Sequence, residues 1–95
     1  MLTPVQKSDA LKIFCAYGAP NQLNMLVEEC MELSLALHKN LTRSRISVFS
    51  DISVISELAD VYIMLEQCSS LFDRSLLSCK ISFKLSRELN RLNSY

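Results

Sequence analysis

Apolar residues recur every three or four positions along most of this chain, the spacing of amphipathic helices, and a few punctuating residues break the pattern. Thr3 before Pro4 reads as a cap and first-turn pair, and Gly18 as a stop, so the first helix is predicted from Pro4 to about Ala16. Pro20 opens a second helix that continues to about Leu41. The stretch "TRSRISVFS", Thr42 to Ser50, then interrupts the periodicity and reads as the one real loop. Ser50 or Asp51 caps a third helix running to about Ser70, and Asp73 caps a fourth running to about Leu92. The prediction is an all-α, four-helix bundle-like fold in one domain. The short joint between the third and fourth helices predicts that they pack as antiparallel neighbours.

At 100° per residue, Leu23, Leu26, Val27, Cys30, Leu37 and Leu41 form the expected core stripe of the second helix. Val54, Leu58, Val61, Leu65 and Cys68 form that of the third. Both helices have apolar residues elsewhere: Met31 and Leu35 on the second, and Ile55, Ala59, Tyr62 and Ile63 on the third. Helices apolar on more than one side are covered on more than one side, and a second subunit is an economical cover. Composition strengthens that expectation, because 95 residues with 49% hydrophobic positions and a single glycine bury more than one small domain readily can.

Ten basic and ten acidic residues balance, so the chain as a whole does not point to nucleic acid or an anionic membrane. "MLTPVQKSDA" lacks a signal-peptide pattern, and no apolar run approaches the roughly 20 residues of a membrane span. A soluble, cytoplasmic protein is expected. Cys15, Cys30, Cys68 and Cys79 are too widely spaced for a C-x-x-C pair and read as buried free thiols. The lone His38, near a helix end, reads as a surface or capping residue.

Local charge carries more information. "LVEECMELSLA", Leu26 to Ala36, sets Glu28, Glu29 and Glu32 in an otherwise apolar helix, and no Lys or Arg lies between Gln22 and His38. Glu29 and Glu32, three apart, share a helix face, which the wheel places away from the core stripe. Glu57 and Asp60, in "SELADVYIM", repeat the spacing on the third helix. Side-by-side packing would bring the four carboxylates together, where they would repel unless a cation sat between them. Oxygen-only ligation suits a hard ion, Mg²⁺ or Mn²⁺. Lys80, Lys84, Arg87 and Arg91 form one basic stripe on the fourth helix within a sector of about 60°. Such a stripe suits a polyphosphate, whose charge exceeds what one or two divalent ions neutralise.

"GAPNQLNMLVEECMELSLAL", a loop, then "ISELADVYIMLEQ" resembles the MazG-like all-α nucleoside triphosphate pyrophosphohydrolases, whose hallmark is E-x-x-E, a spacer and E-x-x-D. The similarity runs from about Tyr17 to Leu92, and "KLSR", Lys84 to Arg87, is similar to the family's downstream K-x-x-R. The resemblance implies Mg²⁺-dependent hydrolysis of a nucleoside triphosphate to the monophosphate and pyrophosphate. Glu29, Glu32, Glu57 and Asp60 would be the metal-holding catalytic residues, and Lys84 and Arg87 phosphate contacts. It also implies a dimer or tetramer. Gln22, one turn before Glu29 on nearly the same side, is a candidate base contact, and Tyr17 a candidate stacking partner. Where many relatives carry a further acid this chain has Ser56, which keeps an alternative in view: a helical oligomer that binds nucleotide or a protein partner without turnover.

Overall fold

The structure is a computed structural model that describes residues 1–43 and 48–94. It contains four helices, α1 (Pro4–Tyr17), α2 (Ala19–Arg43), α3 (Ile52–Ser69) and α4 (Arg74–Asn93), with a single 3₁₀ turn at Val48–Ser50 and no strand among the described residues. The all-α prediction holds, and each helix end lies within two residues of its expected place. Residues 44–47 of the predicted loop, Arg45 among them, lie outside the described residues.

The ends form for local reasons. Thr3 and Gln6 make a reciprocal capping box: Thr3 Oγ1 accepts from the Gln6 N–H at 3.1 Å, and Gln6 Oε1 accepts from the Thr3 N–H at 2.8 Å. Gly18 takes φ +85°, which suits glycine, and its N–H donates to the Phe14 carbonyl to close α1. Asp51 caps α3 through the Ser53 and Val54 N–H groups, and Asp73 caps α4 through the Leu76 N–H at 2.9 Å. The bond from the Ser53 hydroxyl, followed by that from the Val54 N–H, holds the Asp51 carboxyl below its ordinary value.

The α2/α3 pair is the centre of the molecule, and α1 packs on both of its helices. Among the described residues the buried hydrophobic positions are Ala10, Val54, Val61, Met64 and Cys68, most of them on α3. That is a small core for 95 residues.

Three expectations need correction. The α2 face turned toward the core carries Gln22, Leu23, Leu26, Glu29, Leu33, Ala36, Leu37 and Asn40, centred roughly 70° round the helix from the predicted stripe, of which Leu23, Leu26 and Leu37 remain half-buried. Val27, Cys30 and Leu41 of α2, and Leu58 and Leu65 of α3, all expected inside, are exposed. A helix apolar on several sides does not reveal which sector meets its neighbour, and here polar partners allow a mixed one to be buried. Second, α4 does not lie along α3: all of its residues are exposed, and it projects beyond its first turns. Third, the four cysteines are free thiols but only Cys68 is buried. His38 is exposed, as expected.

Candidate metal centre

Helical spacing puts Glu29 above Glu32 on α2 and Glu57 above Asp60 on α3, and the packing of these two helices makes the pairs face each other. Oxygens of Glu29, Glu57 and Asp60 all lie within 4.8 Å of one another. Glu32, exposed, adjoins Glu57, whose carboxyl it raises by contact and by charge, and stands beside the three-oxygen group without belonging to it.

The electrostatics are those of an unneutralised cluster. Glu29 and Glu57 are half-buried, and each has one oxygen, Oε2, shut away from solvent with no hydrogen-bond partner. Loss of water is the main reason that both carboxyls are raised from their ordinary 4.5. For Glu29 the next causes are the charges of Asp60, Glu32 and Glu57; for Glu57 they are contact with Glu32 and the charges of Glu32 and Asp60. Orphaned buried oxygens are costly, and a cation bound between them would remove that cost.

The donor set fits a hard divalent ion. Three carboxylate oxygens within 4.8 Å of one another could draw in around such an ion by rotation of the flexible Glu side chains. The oxygen-only set also disfavours the softer transition metals, which draw on imidazole or thiolate.

A cleft of about 680 Å³ runs from Glu29 and Asp60 to the end of α1, where Ile13 and Tyr17 line it opposite Ile63 and Met64. Gln22, the candidate base contact, lies in its wall, but its side chain is buried and its amide donates to Gln67 Oε1. The Gln22 backbone carbonyl also accepts from the Cys68 thiol at 3.5 Å, and burial raises that thiol above its ordinary value. Gln22 is therefore a fixed part of the wall before it is a contact for anything that enters.

Gln67 was missed by sequence reasoning. The available signal was its spacing, seven residues after Asp60 and thus on the same side of α3. Exposed Glu28 lies at the cleft too, although it belongs to neither acidic pair. Lys84 and Arg87 are not brought to the carboxylates, since α4 contributes no lining residue to this cleft. Arg87 and Arg91 approach Glu88 on their own helix instead, at 3.9 and 2.7 Å.

The fold class that these features define is an all-α domain with a carboxylate centre between two helices. The chain matches no family model, no curated protein and no solved structure.

Proposed function

We propose that this protein is a Mg²⁺-dependent nucleoside triphosphate pyrophosphohydrolase of the MazG-like kind, acting on a cytoplasmic nucleotide. The observation that carries the reading is the pair of buried, unpartnered oxygens on Glu29 and Glu57, grouped with Asp60 beside a cleft of about 680 Å³ that Glu29 and Asp60 line. E-x-x-E and E-x-x-D account for the three acids grouped there and for Glu32 beside them. Mn²⁺ fits the same oxygen donors.

A divalent ion in this centre would supply charge neutralisation for the triphosphate and a lowered pKa for water. The chain's own residues do the rest. Glu29, Glu57 and Asp60 hold the cation. Glu32, beside Glu57 but outside the three-oxygen set, accepts a hydrogen bond from the attacking water and orients it. Tyr17, Ile13 and Met64 offer apolar surface to the base, while Gln22 and Gln67 keep that wall rigid by binding each other. Lys84 and Arg87 serve as phosphate contacts only where assembly brings α4 to the cleft.

The test is a panel of ribo- and deoxyribonucleoside triphosphates incubated with Mg²⁺, read as pyrophosphate and monophosphate formed. Product from at least one of them, abolished by chelation and by Asp60→Asn, is expected. Nucleotide binding with no pyrophosphate release would favour the non-catalytic alternative. Neither binding nor release would remove both readings.

A further inference from the structure

The amount of uncovered surface is the starting point. A compact monomer of this mass would expose about 5,500 Å², whereas the chain exposes 7675 Å². Its radius of gyration is 16.3 Å, against about 12.4 Å for a compact chain of this length. The excess surface is on the order of 2,000 Å² per chain, or about 4,000 Å² for a pair, which lies in the range of obligate homodimers.

That surface is concentrated in two places with matching shapes. On α4, Leu77, Ile81, Leu85, Leu89 and Leu92 follow one another at helical spacing, every one of them exposed. On the α2/α3 pair, Val27, Cys30, Leu41, Leu58 and Leu65 are exposed beside half-buried Leu26 and Leu37. From Leu77 to Leu92, and from Leu26 to Leu41, the helical rise is the same, about 22 Å. The two surfaces join at a groove of about 600 Å³, where Leu26, Leu65 and Cys68 meet Leu76 and Leu77 of α4. None of its lining residues belongs to α1.

We propose that two copies of this chain form a dimer by exchanging α4, each laying its Leu77–Leu92 stripe along the exposed apolar face of the partner's α2/α3 pair. The exchange covers both surfaces with one kind of contact, repeated twice by a two-fold axis, and the assembly closes. Pairing of α4 with α4 would leave the α2/α3 face in water. The exchange does not depend on the carboxylate centre, because none of the four acids takes part.

Light scattering on the whole protein, followed by complementation between two variants, tests it. The parent is expected to run as a dimer at micromolar concentration. Ile81→Glu/Leu85→Glu spoils the stripe and Leu58→Glu/Leu65→Glu spoils the receiving face. All four side chains are exposed in the single chain, so both variants keep their helical content, and each alone is expected to be monomeric, with dimer affinity at least about a hundredfold weaker. Mixed, they are expected to form a heterodimer, since the intact stripe of one meets the intact face of the other. A monomeric parent overturns the proposal in favour of α4 folding back on its own chain. Dimers of the Leu58→Glu/Leu65→Glu variant alone overturn it in favour of α4 pairing with α4, and the absence of heterodimer in the mixture overturns it as well.

Discussion

Helices α3 and α4 begin alike and end in different surroundings. Each is capped by an aspartate, each is close to twenty residues long, and each carries a full apolar stripe. Yet α3 buries Val54, Val61, Met64, Gln67 and Cys68, while no residue of α4 is buried. Caps and periodicity therefore decide that a helix forms, and neighbours decide whether its stripe becomes a core. The same difference divides the charges. Glu57 on α3 is carried into the contact with α2 and loses water, whereas Lys80, Lys84, Arg87 and Arg91 on α4 stay hydrated.

Truncating one large side chain in each helix should produce the largest difference between them. Met64→Ala on α3 is expected to destabilise the protein by about 2–5 kcal/mol, the cost of a buried large-to-small change. Phe83→Ala on α4, off the Leu77–Leu92 stripe, is expected to change stability by no more than about 0.5 kcal/mol. Chemical denaturation of the two variants reads both numbers, and equal losses would mean that α4 is packed.

The carboxylate centre sharpens the contrast next. Glu57→Gln is expected to lower pyrophosphate release and divalent affinity by at least about a hundredfold, as loss of a metal-holding ligand does. The metal-free variant is expected to melt no lower than the parent, because the charge repulsion is removed and the new amide can donate to a neighbouring carboxylate. Calorimetry with Mg²⁺ or Mn²⁺ and a thermal melt without them check the two halves. On α4 the counterpart is Arg87→Ala. If the guanidinium holds phosphate oxygens in the assembled protein, turnover or nucleotide affinity falls by about tenfold to a hundredfold, the loss of a charge-assisted hydrogen bond of roughly 1.5–3 kcal/mol. Metal affinity measured without nucleotide is expected to stay the same. Parental kinetics would assign Arg87 to the hydrated surface, where its 3.9 Å approach to Glu88 contributes little.

A smaller effect is expected from pH. Glu29 and Glu57 are raised above 4.5 in the folded chain, so over the interval above 4.5 the folded state holds protons that the unfolded state has released. Their contribution to stability is therefore greatest below the unfolded value and declines as pH rises through it to the folded value. Asp51 acts in the opposite sense, stabilising α3 above its ordinary 3.8 and losing that contribution as pH falls. Melts of the metal-free parent and of Glu29→Gln/Glu57→Gln across this range isolate the share of the two glutamates. Saturating Mg²⁺ is expected to flatten the parental decline. A parental curve that coincides with the variant's would show that neither glutamate is desolvated.

Much of this molecule was legible in local sequence. Thr3, Gly18, Asp51 and Asp73 marked the helix ends because capping is a matter of side chains and backbone groups within a few residues of one another. E-x-x-E and E-x-x-D fixed which acids share a side of each helix, because the α-helical repeat leaves no freedom there. Tertiary structure decided what those repeats leave open: which side of α2 meets α3, and whether α4 meets anything. The wheel put Glu29 away from the core, yet the packing took it in, since a multiply apolar helix has several nearly equivalent ways to turn and the Gln22–Gln67 contact favours one of them. On α4 only the basic stripe was taken up by sequence reasoning, and the apolar one from Leu77 to Leu92 was missed. That stripe describes only half of an interface, and the other half is set by chain geometry and assembly that no local pattern encodes.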